Sequence, residues 1–471
     1  MDLEVLDSIK HIPTECFRTY DIRGPVSATS INANLAYAIG FVLGEKAREL
    51  ELSEMIVGRD GRLTGPQISG ALINGLRDAG INVTFIGEVP TPVVYFATST
   101  LPIRSGVMVT ASHNPKDHNG FKIVLNGKTL DTAGIQDILQ RIQNLTPCEK
   151  QITRGTYKEI SITDEYIDFI AAQIKLKRRL KVVIDCGNGA GAITAPKLFS
   201  KLNCDVIEMF CTVDGNFPNH HPDPSVPENV QDIIAKVLET KADVGLAFDG
   251  DADRIGVISN KGEVIWPDRQ MMLLSEAMLK EKPGSEIVFD VKCSRYLPEI
   301  IKKSGGRPVM WRTGHSVLKA KLLELGAPLA GEMSGHIFYN DERWFGFDDG
   351  VYVGARILEI LANDSRSVSE IFDALPNGFS TPELKLPMPE ERKEAFMQKL
   401  AEQADFGDVE IITLDGLRVE FKDGWGLIRP SNTSPYLILR FEEDSEGGLE
   451  RIKELFRREL LKIDADLELP F

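Results

Sequence analysis

Six short stretches of the chain concentrate residue types that move protons, phosphoryl groups or metal ions. The first is TASHNPKDHNGFK, Thr110 to Lys122, which holds Ser112, His113, Lys116, Asn119, Gly120 and Lys122. It follows an apolar run that reads as a buried strand, and open α/β sheets bind ligands at the carboxyl ends of their strands. A serine there, flanked by a histidine and a lysine, could accept a phosphoryl group. The alternative is a polar loop whose Ser and Asn make turn hydrogen bonds. The second is DGDADR, Asp249 to Arg254, just past the apolar run Val244–Phe248. Three carboxylates at alternate positions crowd together at high cost unless a cation offsets them, and hard oxygen ligands suit Mg²⁺ or Ca²⁺. An EF-hand does not fit, because its sixth position would be Arg254 instead of Gly and its twelfth Asn260 instead of Glu. A solvated acidic turn is the plain alternative.

The remaining four are weaker alone. GNGAGA, Gly187 to Ala192, follows the run Val182–Asp185 and matches a dinucleotide-binding pattern, with Asp205 or Glu208 about 20 residues on. Its glycines equally suit a tight strand-to-helix turn. GEMSGH, Gly331 to His336, offers Glu332 and Ser334 for sugar hydroxyls and His336 to move a proton, or is simply a polar loop. RPSNTSP, Arg429 to Pro435, carries a planar guanidinium with donors at Ser431, Asn432 and Thr433, a sensible anion clamp. FRTYDIRG, Phe17 to Gly24, contains Tyr20 and Arg23 and says nothing by itself. His220-His221 lacks the cysteines or HExxH helix of a zinc site and reads as a loop packed on its domain.

Positioning these loops requires strands that end where they begin. Val/Ile-rich runs at Met55–Gly58, Val107–Thr110, Val182–Asp185, Val244–Phe248 and Ile287–Asp290 alternate with amphipathic stretches. Helices are predicted over Gly65–Ala79, Ile135–Asn144, Thr163–Arg179, Pro227–Thr240, Arg269–Lys280 and His315–Leu325. That alternation argues for α/β units with largely parallel, mixed sheets. MIVGRDGR (55–62), VVIDCGNG (182–189) and IVFDVKCS (287–294) recur as strand-then-polar-loop units, which suggests three related α/β domains. FKIVLNGKTL is a predicted hairpin turning at Asn126-Gly127. The last quarter reads as a smaller α+β domain: a helix at Glu390–Gln403, four short strands, and a helix at Leu449–Ile463. The expected domains are 1–155, 156–260, 261–375 and 376–471, carrying in turn the serine loop, the acidic loop, the GEMSGH loop and the RPSNTSP loop.

The 471 residues allow three or four domains and a sizeable core. A net charge of −16 argues against nucleic acid or an anionic membrane as partner. A small anionic ligand feels only its local cluster. The six cysteines form no CxxC pair and no disulfide framework, which fits a reducing cytoplasm. The first 30 residues carry charges and lack an apolar core, so no signal peptide is expected.

Together, TASHNP, DGDADR, GEMSGH and RPSNTSP, in order and spread over the whole chain, resemble the α-D-phosphohexomutase superfamily. GEMSGH is most similar to the bacterial phosphomannomutase/phosphoglucomutase branch. The resemblance implies three related α/β domains plus a C-terminal domain around a central cleft. It implies phosphoserine at Ser112, with Asp249, Asp251 and Asp253 binding Mg²⁺ together with the Ser112 phosphate. Arg23, His113 and Lys122 would sit near the transferred group; Arg254, Lys292 and His315 would line the cleft. Glu332, Ser334 and His336 would read the sugar, and Arg429, Ser431, Asn432 and Thr433 would hold the phosphate that does not react; Tyr20 also fits. His336 is the candidate base, with His113 or a lysine as alternatives.

The implied activity interconverts hexose 1- and 6-phosphates, of mannose and glucose, through a 1,6-bisphosphate. Glucose 1,6-bisphosphate or mannose 1,6-bisphosphate would be the activator. Phosphoglucosamine mutase, a metal-dependent sugar phosphatase and an NAD-dependent dehydrogenase are the rival readings. A cytoplasmic monomer acting on small hexose phosphates is expected.

Overall fold

The computed structural model describes residues 13–19, 21–146, 152–431 and 434–471. Tyr20, Cys148, Asn432 and Thr433 lie outside them. The chain forms three α/β parts and a C-terminal α+β part, grouped into two compact units: residues 1–266 with 334–371, and residues 267–333 with 372–471.

In the first unit, one sheet comprises β1 (Ile22–Pro25), β2 (Glu54–Arg59), β3 (Asn82–Glu88), β4 (Gly106–Val109), β5 (His118–Leu125), β6 (Lys128–Thr129) and β7 (Tyr157–Glu159). Its order is β1-β5-β4-β2-β3-β7, with β6 folded back on β5. β4, β2, β3 and β7 run parallel; β5 and β1 are antiparallel additions. The β5–β6 reversal has Asn126 at φ 49° and Gly127 at φ 76°, the two left-handed residues that an Asn-Gly turn requires. Helix Gly65–Asp78 buries Ile68, Leu72, Ile73 and Leu76, and helix Thr132–Gln143 buries Ile135, Ile138, Leu139 and Ile142. Each is one face of a 3.6-residue period, and both faces join one core with β2, β4 and β5.

The second sheet of this unit has β8 (Lys181–Asp185), β9 (Asp205–Met209), β10 (Val244–Phe248), β11 (Ile255–Ser259) and β12 (Val264–Ile265), ordered β12-β11-β10-β8-β9. β10, β8 and β9 are parallel. The helix predicted over 163–179 stops at Ala171. Lys175, Lys177, Arg178 and Arg179 follow within five positions, where like charges repel one another along a helix. The helix predicted from Pro227 opens with a 3₁₀ turn to Val230 before the α-helix Gln231–Thr240.

In the second unit, β13 (Glu286–Asp290) lies between β14 (Arg307–Trp311) and β15 (Leu329–Gly331), all parallel. β16 (Ile337–Tyr339), next in the chain, falls in the first unit. The C-terminal sheet is antiparallel and has six strands where the sequence predicts four: β17 (Phe379–Ser380), β18 (Leu384–Pro387), β19 (Glu410–Ile412), β20 (Leu417–Glu420), β21 (Gly424–Pro430) and β22 (Tyr436–Glu443). The two extra strands are short and pair with β22, and such brief segments give too little periodicity to be read. Helices Glu390–Gln403 and Glu446–Ile463 close its core through Phe396, Leu400, Ile452, Phe456 and Leu460. Among the described residues no helix is long and apolar enough to cross a membrane.

Two buried side chains fix the frame around the serine loop and the acidic loop. Arg62, after β2, donates to the carbonyls of Ser112 (2.7 Å), Asn114 (2.6 Å), Pro115 (2.6 Å) and His118 (2.9 Å), and to Asp60 Oδ2 (3.2 Å). One planar fork thus shapes the whole turn after β4. Asp349 caps helix Gly350–Asn363 by accepting from the Tyr352 N–H at 2.9 Å, and its second oxygen accepts from the Tyr166 hydroxyl at 2.7 Å.

Arg62→Met strands four carbonyls and a buried carboxylate, so it should destabilise the protein by about 3–5 kcal/mol in urea unfolding. A loss under about 1 kcal/mol would mean that the loop holds its own shape. Asp349 makes a pH prediction. Burial pushes its carboxyl from 3.8 up to about 7. Between those values the folded chain keeps a proton that the unfolded chain has released. Stability therefore falls as pH rises across that window and is level above it. The gap corresponds to about 4 kcal/mol. Relative to wild type, Asp349→Asn should gain in Tm between about pH 4 and about pH 8. An equal Tm difference at both ends would show that this carboxyl does not carry the dependence.

Candidate active site

The serine loop leaves the carboxyl end of β4, and the acidic loop leaves the carboxyl end of β10. They meet backbone to backbone. A Cβ on Gly250 would stand 2.4 Å from the Ser112 carbonyl oxygen, so only glycine permits the approach. Ser112 itself takes a left-handed conformation, φ 51°. Its hydroxyl donates to Asp249 Oδ2 at 2.8 Å and lies 3.2 Å from His113 Nδ1. A serine oxygen held this way is aimed at the carboxylate cluster, and it is 2 % exposed.

Asp249, Asp251 and Asp253 are fully buried, and one carboxylate oxygen from each lies within 4.8 Å of the others. Lys122, on β5, donates to Asp251 Oδ2 at 2.7 Å and to Asp253 Oδ2. Thr91 also donates to Asp251, and its N–H reaches the Asp251 carbonyl at 3.0 Å. Burial alone would raise Asp251, but the Lys122 ammonium and these hydrogen bonds hold it below the usual carboxylate range. Burial and the neighbouring carboxylates push Asp249 well up. Asp253 is also raised, by burial and by Asp251. Burial would lower Lys122, and its two aspartates raise it well above an ordinary lysine.

Asp251 Oδ1 and Asp253 Oδ1 are buried and accept no hydrogen bond from any described residue. Two bare carboxylate oxygens beside a third aspartate are a donor set that fits a hard dication. The acidic residues therefore form a possible metal site.

The other cations of this unit close around the same loops. Arg23, on β1, donates to Asp21 (2.5 Å), Asn114 Oδ1 (2.9 Å) and the Ala111 carbonyl (3.3 Å). Arg254 Nε lies 3.4 Å from Asp249 Oδ2, while the Arg254 N–H donates to Asp249 Oδ1 at 3.1 Å. His336 pairs with Arg254 in an isolated antiparallel bridge. Its Nδ1 is 2.9 Å from Asp348 Oδ2 and 3.6 Å from Asp253 Oδ1. Ser334 is half-buried in the same unit.

GNGAGA has a different task from nucleotide binding here. The Ala190 N–H donates to the Gly250 carbonyl at 2.9 Å, and a Cβ on Gly189 would stand 2.7 Å from that oxygen. The loop backs the acidic turn. His220 is held by Asp185 at 2.9 Å in the same layer.

The second unit gathers a second set. Lys292, just past β13, is 2.5 Å from Glu383 and 3.7 Å from Asp290. Burial would lower its ammonium, and those carboxylates raise it. Glu332 accepts from the Gly314 N–H beside His315, which starts helix His315–Leu325. The adjoining Thr313 N–H donates to Asp415 Oδ2 at 2.8 Å, and Arg429 Nε donates to the same oxygen at 3.0 Å. The Thr313-Gly314 backbone thereby links Glu332 to Asp415 and Arg429. Arg429 Nη2 is buried and donates to no described residue, which leaves half of the guanidinium fork for an anion. Ser431 follows at the end of β21. Asn432 and Thr433, with Tyr20 of the first unit, are outside the described residues.

Several positioning residues escape sequence reasoning. Arg62, Asp60, Thr91 and Asp348 frame the first set. Arg418 donates to the Val291 (2.5 Å) and Cys293 (2.8 Å) carbonyls, and Arg440 to the Lys292 carbonyl, so two arginines of the C-terminal sheet clamp the Lys292 loop. Only Asp60 and Arg62 left a trace, both in MIVGRDGR, the first copy of the internal repeat.

The comparisons with known proteins agree along the whole chain. Residues 14–148, 164–262 and 266–379 match phosphoglucomutase/phosphomannomutase alpha/beta/alpha domains I, II and III, and residues 383–459 match the C-terminal domain of the same family. A phosphomannomutase/phosphoglucomutase of Pseudomonas putida is 50% identical over 460 residues, 98% of each chain. A phosphoglucomutase of Neisseria gonorrhoeae is 49% identical over 450 residues, 95% of this chain and 96% of that one. The crystal structure of a phosphoglucomutase/phosphomannomutase family protein from Burkholderia thailandensis superposes with a TM-score of 0.92 at 47% identity, covering 98% of this chain and 100% of that one. Loops that meet at Ser112 and the three aspartates, on a fold shared from end to end, make this chain a member of the phosphoglucomutase/phosphomannomutase family of isomerases.

Proposed function

We propose that the chain is a Mg²⁺-dependent phosphohexomutase. It would interconvert hexose 1-phosphates and 6-phosphates, of both mannose and glucose, through phosphoserine at Ser112 and a 1,6-bisphosphate. The observation that carries this reading is the Ser112 hydroxyl, buried and 2.8 Å from Asp249 within a three-aspartate cluster. The dual sugar range is supported by the 50% identical relative's name.

Asp249, Asp251 and Asp253, with the Ser112 phosphate, would hold the Mg²⁺. When bound, the ion supplies charge neutralisation at the phosphoryl oxygens and at the serine oxygen as it leaves. The substrate's free hydroxyl attacks the phosphoserine phosphorus; the new O–P bond forms as the Ser112 Oγ–P bond breaks. His336, oriented by Asp348, takes the hydroxyl proton. Lys122 and Arg23 offset charge on the equatorial oxygens. In the return step the other phosphate passes to Ser112, and its former oxygen regains a proton. His113 and Arg254 flank the transferred group. Glu332, Ser334, Lys292 and His315 bind the sugar and its phosphate oxygens, and Arg429, Ser431, Asn432 and Thr433 hold the phosphate at rest, with Tyr20 as a further contact.

Either phosphate of the bisphosphate must fit that clamp, so it reads phosphate geometry and not sugar orientation. Glucose 1,6-bisphosphate or mannose 1,6-bisphosphate serves as activator by rephosphorylating Ser112. Residues 1–155, 156–260, 261–375 and 376–471 are the proposed domains, in a cytoplasmic monomer.

The test is a coupled assay with Mg²⁺, trace glucose 1,6-bisphosphate, and mannose 1-phosphate or glucose 1-phosphate. Both should yield 6-phosphates, and Ser112→Ala should lose about 10⁴-fold or more. Free phosphate without a 6-phosphate would make the enzyme a phosphatase. A second test reads the ion directly. Asp251→Asn removes one charge from the cluster, so Mn²⁺ binding followed by electron paramagnetic resonance should weaken by about tenfold or more. Unchanged binding would move the ion elsewhere.

A further inference from the structure

Lys393 lies in helix Glu390–Gln403, a strongly charged helix, yet it is only 4 % exposed. Its ammonium donates to Glu390 Oε1 at 2.7 Å, to the Ser431 carbonyl at 3.0 Å and to the Ser434 carbonyl. Three donors thus meet three acceptors, which is how a buried lysine avoids an uncompensated charge. The two carbonyls belong to the residues on either side of Asn432-Thr433. Ser431 follows β21 and Ser434 precedes β22; the Ser431 N–H donates to the Tyr436 carbonyl at 3.0 Å, and the Ser431 and Ser434 hydroxyls are 2.8 Å apart. Two residues upstream on β21 is Arg429. On this side the helix and the strand ends enclose a groove of about 570 Å³, lined by Lys393, Met397, Thr413, Pro430 and Ser431 among others.

We infer that Lys393 is a positioning residue for phosphate binding: by holding the Ser431 and Ser434 carbonyls it fixes Ser431, two residues beyond Arg429, where the substrate's non-reacting phosphate binds. The inference rests on the reading that Arg429 and Ser431 hold that phosphate. Lys393 acts through backbone carbonyls and has no part in the transferred group. Its loss should therefore appear in phosphate affinity and not in turnover.

The experiment compares Lys393→Met, Lys393→Gln, Lys393→Arg and Arg429→Lys in the full-length enzyme. It measures KM and kcat for glucose 1-phosphate and mannose 1-phosphate, competitive inhibition by inorganic phosphate, and Tm. Lys393→Met should raise KM for both sugars by the same factor, about tenfold, and weaken inhibition by phosphate in parallel, while kcat stays within about threefold. Lys393→Arg should recover part of the affinity. If Lys393→Met does not fold, Lys393→Gln carries the comparison. A lowered Tm with unchanged KM in the Lys393 variants, while Arg429→Lys raises KM, would overturn the inference and leave the clamp reading standing. Unchanged KM and unchanged phosphate inhibition in Arg429→Lys would overturn the clamp reading itself. Unequal effects on the two sugars would show that Lys393 acts on sugar recognition and would also overturn the inference.

Discussion

The crowding of Asp249, Asp251 and Asp253 in a solvent-free turn is the constraint around which the first unit is arranged. Like charges at this distance do not all ionise without compensation. Every nearby element supplies some. β5 brings the Lys122 ammonium, helix Thr91–Thr100 brings a hydroxyl and an N–H at its first turn, and the acidic loop turns its own Arg254 back on Asp249. The compensation is uneven: Asp251 is held ionised while Asp249 is pushed toward its neutral form.

The second unit solves another problem, that of holding basic side chains still without burying them uselessly. Lys292 is held by the carboxylates of Glu383 and Asp290, and Arg429 by that of Asp415. Arg418 and Arg440 point away from any substrate role. They bind carbonyls of the Lys292 loop and stack near Trp425, with Arg418 3.8 Å from the ring centroid. The same device appears with Arg62: a buried guanidinium grips the serine loop by its backbone. In both units the loop's side chains stay available because its carbonyls are what is held.

That device also accounts for what could be read from the sequence. The strands at 55–58, 107–110, 182–185, 244–248 and 287–290 were legible because a continuous Val/Ile run of that length fits little besides a strand buried on both faces. The three aspartates stood out because carboxylates at alternate positions crowd at high cost without a cation, and Ser112 only through its place after a strand beside a histidine and a lysine. Arg62, Arg418, Arg440 and Lys393 were not, since a side chain that binds backbone carbonyls imposes no residue type on its partner and leaves no spacing rule. GNGAGA was legible as a tight glycine turn after a strand but not as to what it packs against: the backbone of Gly250. Asp348 and Asp349, adjacent in sequence, face different partners, His336 and a helix N-terminus, and only the fold separates those roles.

Ser112 sits at φ 51°, where a Cβ is already crowded against the backbone and a second branch at that carbon is crowded further. Threonine carries the same hydroxyl and nearly the same acidity, yet its extra methyl belongs to the class of side chains least tolerated there. The backbone therefore narrows the choice of hydroxyl side chain at this position. In a fold that turns its chain left-handed at this point, serine is the alcohol the geometry admits, and the identity of the residue at this position is a steric fact as much as a chemical one.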